Sequence, residues 1–276
     1  MPESTVGQFN PLHAAHAIES VQFSINFSKP ISDESWTAVL SAAREFKDEL
    51  PGEEAIQTFT PGLNLTIGAQ PGGIVRKRVS ADGTPEEEFV VTKTFLMYRT
   101  SRYTRWSACW AQAKKLMDRT LASISGGIEL SAISLNVVDK FIWTGDAFGG
   151  ETLARLIQRN SDYVSPHVFK RENFWHSHTG AFVKQDAYTR RLENVNLDHI
   201  EEDRAGDRRR TIAITVVLSD QFQQVGYEPF TDRVNGTSGV IDGHIQQLHV
   251  QNKQILANII SNDFATRIAL NSATTT

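Results

Sequence analysis

The chain has 276 residues, of which 40% are hydrophobic and 22% are charged, and its formal net charge at pH 7 is −4. This length and composition are typical of a folded globular chain and exclude one that is mostly disordered. Because the chain is slightly acidic, it has no overall attraction for nucleic acid or for an anionic membrane, and either partner would need a local basic patch.

The polar, proline-containing start of the chain predicts an N-terminal arm over residues 1–16, frayed through about Leu12. The arm lacks the basic start and apolar core of a signal peptide, and no later apolar run is long enough to span a membrane. We therefore expect a cytoplasmic protein with no membrane partner.

Two hydrophobic periods alternate along the first half of the chain, a period of two that indicates strands and steps of three and four that indicate helices. In chain order they predict a strand at 17–28, a helix at 32–50, strands at 63–69, 74–79 and 88–98, and a helix at 106–124. A turn is predicted at 70–73, and Gly126 with Gly127 is expected to end the second helix.

The second half repeats this order of elements. It predicts a strand at 128–143, a helix at 151–158, strands at 174–184, 188–198 and 211–219, and a long closing helix at 245–260. The charged stretch 201–210 is predicted to be a hairpin connection. We therefore predict an α+β fold of two βαβββα half-repeats, 17–127 and 128–271, that form one continuous antiparallel sheet with helices packed on one face. A disordered tail is expected at 272–276.

Two segments resemble a sporadically distributed family of uncharacterised prokaryotic proteins. They are the opening run Asn10-Pro11-Leu12 leading into Ile18-Glu19-Ser20-Val21-Gln22-Phe23, and the closing run Leu248-His249-Val250-Gln251-Asn252-Lys253-Gln254-Ile255. The family has a patchy distribution that is typical of mobile elements or defence islands. The resemblance therefore implies a prokaryotic or phage setting and a defence-related system, and it supplies no catalytic residue.

His176 and His178 lie two residues apart on a predicted strand. They project from the same face and are close enough to share a metal ion, with Asp198 or His199 on the next strand as a third ligand. Histidine pairs without a defined third ligand are commoner as hydrogen-bonded surface residues, and that is the alternative.

A basic and aromatic cluster is predicted at one edge of the sheet. Its arginines are Arg76, Arg78, Arg99, Arg102 and Arg105, and its aromatic residues are Tyr98, Tyr103 and Trp106. Guanidinium groups pair with phosphates and aromatic rings stack on bases, so this combination predicts a nucleic-acid groove. The alternative is that Arg76 and Arg78 pair with glutamates 86–88 across a hairpin, while Trp106 belongs to the core.

A second basic run, Arg204 with Arg208 to Arg210, follows acidic residues and is typical of a solvated hairpin loop or of a site for a phosphate or an acidic partner. The single cysteine, Cys109, lies on the apolar stripe of its helix, which favours a buried structural thiol over a nucleophile. The glycine-rich stretch 144–150 lacks the ending of a phosphate loop. The sequence predicts no catalytic residue and no cofactor.

Three classes of function remain, in order of preference. The first is a non-enzymatic protein-interaction or accessory protein, which uses an open sheet face or a groove between its halves to hold a protein partner or a second copy of itself. The second is a nucleic-acid-binding protein that uses the basic and aromatic edge. The third is a metal-dependent enzyme centred on His176 and His178. The polar face of the first strand, at Gln22, Ser24 and Asn26, favours the first class.

Overall fold

The computed structural model describes residues 7–59, 69–125, 128–145, 148–204, 207–223 and 239–270. The strands in these residues are β1 Phe9–Pro11, β2 Ile18–Phe27, β3 Gly52–Phe59, β4 Ala69–Val79, β5 Pro85–Thr92, β6 Phe95–Thr100, β7 Leu130–Trp143, β8 Trp175–Lys184, β9 Thr189–Arg204 and β10 Asp207–Phe222. The helices are α1 Asp33–Arg44, α2 Trp106–Ala122, α3 Gly150–Leu153, α4 Val240–Ile259 and α5 Asn262–Arg267. The predictions made for 63–68, 126–127 and 272–276 lie outside the described residues.

The strands join into one sheet, in the order β3-β4-β5-β6-β2-β7-β10-β9-β8, with β1 added beside β7. Every pairing between the described strands is antiparallel. Strands β2 and β7 are neighbours at the centre, where Phe23 lies opposite Leu135. The predicted α+β fold with a large antiparallel sheet is therefore confirmed.

The hydrophobic core lies between one face of this sheet and the helices. Alternate residues of β7, such as Ile133 and Leu135, are buried on this face. The ring of Phe23 on β2 lies 5.2 Å from the ring of Trp110 on α2, and α4 packs against β7 and β10. On the other face, Gln22 lies beside Asn136, so this face is polar at the centre of the sheet.

The predicted strand 88–98 is in fact two strands, β5 and β6, joined by a tight turn at Lys93 and Thr94. The hydroxyl of Thr92 accepts hydrogen bonds from the N–H groups of Thr94 and Phe95, at 3.2 and 2.9 Å, and these bonds close the turn. Threonine forms such local bonds readily. The prediction was wrong because the apolar alternation continues through the turn.

The predicted turn at 70–73 is also wrong, since these residues belong to β4, which pairs with the unpredicted strand β3. A Cβ atom at Gly73 would come within 2.6 Å of the carbonyl oxygen of Val91. The glycine therefore permits a close approach of two strands rather than a turn. Strand β3 begins with Gly-Glu-Glu and lies at the sheet edge, so it lacks the alternation that a buried face imposes.

The charged stretch 201–210, predicted as a loop, extends β9 and β10. Across the two strands Glu201 lies opposite Arg210 and Glu202 lies opposite Arg209, so opposite charges face each other. Such cross-strand pairs favour continued pairing and explain why the hairpin is longer than its hydrophobic residues indicate.

The predicted helix at 151–158 is shorter than expected and ends at Leu153. The chain leaves the helix because Ile157 forms a β-bridge with Ile260, and the N–H of Gln158 donates to a carbonyl at the end of α4, at 2.8 Å. None of the helices in the described ranges has both the length and the apolar character needed to cross a bilayer.

Part of the predicted N-terminal arm is ordered as strand β1. Phe9 is buried, and its ring centroid lies 5.1 Å from that of Trp143, 6.0 Å from that of Phe148 and 6.4 Å from that of Phe264. Burying one aromatic side chain contributes roughly 1.5–3 kcal/mol towards ordering this segment, and pairing with β7 holds it in the sheet. The expectation of a frayed start is therefore wrong for residues 9–11.

A buried ion pair joins β9, β10 and α4. The carboxylate of Asp220 is fully buried and accepts hydrogen bonds from Nε and Nη2 of Arg191, at 2.7 and 3.0 Å. Nδ1 of His244 on α4 lies 2.7 Å from the same carboxylate. This network ties the first turns of α4 to the sheet.

Asp220→Asn is expected to lower the free energy of unfolding by about 3 kcal/mol or more, because it leaves Arg191 buried without its counter-charge. The matched control is Glu151→Gln, which removes the partner of Arg159 from an exposed pair and is expected to cost less than about 1 kcal/mol. Urea denaturation of the two variants measures both values. Equal effects would contradict a structural role for the buried pair.

Candidate functional site

Along one edge, strand β7 pairs with two strands, β1 and β2. The segment between them, residues 12–17, leaves the sheet, and we call it the excursion. Residues 141–143 pair with β1, and residues 130–139 pair with β2, which has a register shift after Ile18. The ends of the excursion are fixed by hydrogen bonds from Leu12 N–H to the Lys140 carbonyl, at 3.0 Å, and from Lys140 N–H to the Ala17 carbonyl, at 2.8 Å. Irregularities of this kind in a sheet often lie beside functional sites, because they change the direction in which side chains point.

Asp139 lies on β7 at this excursion, on the face that carries the core. Its neighbours in the alternation are Val137 and Phe141, both buried. Only 1% of Asp139 is exposed, and neither carboxylate oxygen has a hydrogen-bond partner among the described residues. Burial raises the pKa of Asp139 to about 7.

A cavity of about 550 Å³ opens above this carboxylate, and we call it the central cavity. The sheet side of the cavity is lined by residues 15–17 of the excursion, by Ile18 and Val21 of β2, and by Val137 and Asp139 of β7. The helix side is lined by residues 103–106 around the start of α2, by His249, Asn252, Lys253 and Leu256 of α4, and by residues 268–270 after α5. Among these residues Asp139 is the one carboxylate. The volume is within the range of roughly 300–1,000 Å³ that is usual for small-molecule sites.

Aromatic rings form much of the wall. The rings of Trp106 on α2 and His249 on α4 are stacked, with centroids 3.7 Å apart and an angle of 4° between their planes. Burial, with a contribution from Lys253, lowers the pKa of His249 to about 4. Burial also lowers the pKa of His16, with help from nearby His13. Both cavity histidines are therefore neutral at pH 7, so they do not supply a cation to Asp139.

Two further polar atoms at the central cavity are buried and unpaired in the described part of the chain, namely Nδ1 of His16 and Oδ1 of Asn252. Buried polar groups in folded proteins nearly always have a partner, and each one left without costs about 1–3 kcal/mol. Three such groups on one cavity indicate that something polar completes it. The arrangement can accept hydrogen bonds through three oxygen atoms, two from Asp139 and one from Asn252.

The arginines of the predicted nucleic-acid cluster do not share one surface. Arg76 lies in register with buried Phe89, whereas Arg99 lies in register with Gln22 on the opposite face. Arg76 is itself buried and pairs with Glu53 at 2.7 Å. The others pair as well: Arg78 with Glu87, Arg99 with Glu88, and Arg102 with Glu86 and Glu87. Arg105 has no ion-pair partner among the described residues, and it lines the central cavity.

The predicted histidine pair lies on edge strand β8, where both side chains are exposed and their ring centroids are 6.4 Å apart. Nδ1 of His176 lies 2.6 Å from Oδ1 of Asp198, which is opposite it on β9. Asp198, one of the two residues predicted as a third ligand, is therefore next to His176. His199 is buried on the core face. No group of three or more potential metal ligands occurs within the described ranges.

Sequence reasoning did not single out Asp139, although a signal was present. It is an acid at a position where the period of two calls for an apolar side chain, between Val137 and Phe141. A charged residue on the buried face of a central strand is rare unless it is paired or functional. His16 lies beside His13: the two residues form an isolated β-bridge, and their ring centroids are 4.6 Å apart.

No protein-family model matches the chain, and no curated protein matches it. The resemblance to a prokaryotic family, and the defence-related setting that it implies, therefore stay predictions.

The raised pKa of Asp139 predicts how stability depends on pH. Between pH 4 and pH 7 the unfolded chain has released the proton that the folded chain still holds. The free energy of unfolding of the ligand-free protein should therefore fall across this window, by up to about 4 kcal/mol. Asp139→Asn removes this dependence, so the variant gains stability relative to the natural chain as the pH rises. Asp48→Asn, at an exposed carboxylate, is the control.

Urea denaturation at several pH values measures this difference. A gap between Asp139→Asn and the natural chain that stays constant from pH 4 to pH 7 would contradict the raised pKa.

Proposed function

We propose that the protein binds a small organic cation in the central cavity and acts as a non-enzymatic accessory protein. The observation that carries this proposal is the carboxylate of Asp139, which is buried without a hydrogen-bond partner beside an open volume of about 550 Å³. Leaving a buried charge unpaired costs several kcal/mol. A cationic donor supplied by the ligand would recover that free energy, so the site favours such ligands over neutral ones.

Binding is favoured over catalysis by what surrounds Asp139. Acid–base chemistry usually needs a second titrating group with a pKa near the working pH, and the neutral His16 and His249 are shifted away from it. Cys109 is buried, and burial raises the pKa of its thiol to about 12, so it is not an activated nucleophile. The described lining therefore offers recognition groups rather than a reacting pair.

We also propose that the chain is an internal duplication, with one unit in 17–127 and the other in 128–271. The sheet order supports this, because the first strand of each unit pairs with the last strand of the same unit: β2 with β6, and β7 with β10. The two helices that follow those last strands, α2 and α4, contact each other through Trp106 and His249. The first unit has four strands after its helix and the second has three. On this proposal, the central cavity is a groove between two related units.

Benzamidine, a planar aromatic cation, is expected to bind the natural protein and to raise its thermal unfolding temperature. Asp139→Asn should weaken binding at least about thirtyfold, because the variant removes one partner of a buried charge pair. Isothermal titration calorimetry measures both affinities, and benzamide, which has nearly the same shape and no charge, is the control ligand. Equal affinity of the two chains for benzamidine, or no binding at all, would overturn the proposal.

A second candidate function is self-association through β8, the strand that ends the sheet order on one side. Large apolar side chains are exposed there, with Phe182 at 60% and Val183 at 39%. Residues 176–183 contain no acidic residue, lysine or arginine, and Lys184 stands at the end of β8, so most of the strand lacks the charges that usually block edge pairing. Antiparallel pairing of two copies about a two-fold axis would oppose no like charges. The partner proposed here is a second copy of this chain.

The double variant Phe182→Lys, Val183→Lys is expected to convert a dimer to a monomer, because lysines on an edge strand oppose pairing. Val250→Lys, at an exposed position on α4, is the matched control and should leave the dimer intact. Sedimentation velocity distinguishes the two states. A natural chain that stays monomeric at the highest concentration tested would remove this candidate.

A further inference from the structure

We infer that the ligand of the central cavity is amphoteric, with a planar pair of N–H donors that binds Asp139 and an anionic group that binds Arg105 and Lys253. This inference rests on the proposed function and adds the chemical class of the ligand. It follows from the distribution of charge between the floor and the rim of the cavity.

The floor offers two acceptors side by side. Both oxygens of the Asp139 carboxylate are buried and have no hydrogen-bond partner among the described residues, so a planar group that reaches them would find two acceptors on one carboxylate. Amidinium and guanidinium groups present two parallel N–H donors with this spacing, and so does the edge of guanine that carries N1–H and the 2-amino group. Bidentate pairs of this kind are stronger and more specific than single hydrogen bonds.

The wall of the cavity carries aromatic rings. Trp106 and His249 stack face to face, and they are held by a hydrogen bond from Trp106 Nε1 to Gln246 Oε1, at 3.1 Å. Tyr103 lines the cavity as well, with its ring centroid 5.2 Å from that of His16. Aromatic side chains gain most from ligands that are planar and aromatic themselves.

The rim carries positive charge that is not used elsewhere. Arg105 is exposed and Lys253 is half-buried, whereas Asp139 is buried, so the cations lie nearer the opening than the carboxylate does. Neither cation forms an ion pair with any described residue, in contrast to Arg76, Arg99 and the other neighbouring arginines. Arg105 is also the N-cap residue of α2, which begins at Trp106, and the first turn of that helix contains no acidic residue. The rim therefore favours an anion.

Two matched pairs of probes test this inference. Benzamidine is compared with 4-amidinobenzoate, which adds a carboxylate opposite the amidinium. Guanosine is compared with guanosine 5′-monophosphate, which adds a phosphate to the same base. In at least one pair the added anion should improve the dissociation constant of the natural protein about tenfold, the usual gain from one charge-assisted hydrogen bond. The pair of probes in which the added anion improves affinity shows whether the two N–H donors belong to an amidinium group or to guanine.

The double variant Arg105→Gln, Lys253→Gln should lose this gain, while its binding of benzamidine or guanosine should still depend on Asp139, which is unchanged. The control is Arg102→Gln, which removes a nearby cation that pairs with Glu86 and Glu87 and does not line the cavity. Isothermal titration calorimetry at fixed salt and pH 7.5 gives the constants.

The outcomes separate this inference from the proposed function. If benzamidine binds through Asp139 but neither anion improves affinity, or if the gain survives in the double variant, the amphoteric ligand is overturned and the cation site stands. If benzamidine does not bind, both are overturned, whatever the guanosine pair shows. A gain that is lost in the double variant and retained in Arg102→Gln supports the inference.

Discussion

The cavity depends on one constraint: two strands, β1 and β2, pair with the same edge of β7. β1 takes the last residues of that edge and β2 takes the rest, so the segment between them, from Leu12 to Ala17, has no place in the sheet. Its ends are anchored by backbone bonds to Lys140, so the chain leaves and rejoins the sheet without breaking the pairing at either side. The excursion thus opens space over the core face at one point, and α2 and α4 form its sides.

A buried carboxylate at that point opposes folding, and the size of the surrounding core makes it tolerable. The core runs across the whole sheet and includes Phe23, Phe89, Leu135 and Phe141, all of them fully buried. Burial of each such side chain contributes roughly 1.5–3 kcal/mol, so the cost of one unpaired carboxylate is a small part of the total. Proteins commonly accept a local loss of stability where a residue serves binding. Asp220 is a second buried carboxylate in the same molecule. Unlike Asp139, it is paired within the fold, because Arg191 neutralises its charge.

The alternation of apolar residues was sufficient to predict β2, β7 and the antiparallel sheet, because a buried face imposes a period of two on every central strand. It failed at Thr92, where a side-chain hydroxyl closes a turn inside an unbroken apolar pattern, and at edge strand β3, where no buried face imposes a pattern. The arginine cluster was predicted from closeness in sequence, whereas the pleat of the sheet separates Arg76 from Arg99. The site itself joins residues more than 200 positions apart, such as His16 and Asn252, and only the tertiary fold brings such residues together.

The cavity is lined by one acidic and two basic residues, and these do not pair with one another. Arg105 and Lys253 form no ion pair with Asp139, although all three line the same space. The helices that carry the cations are fixed to each other by the Trp106–His249 stack and by a hydrogen bond from Trp110 Nε1 to Asp242 Oδ1, at 2.6 Å. This contact fixes α2 and α4 relative to each other, and α4 also packs against β7, so the fold sets the positions of the charged residues. Folding supplies the free energy needed to keep these charged residues apart. A ligand that binds both the acidic and the basic residues therefore does not have to supply that free energy on binding.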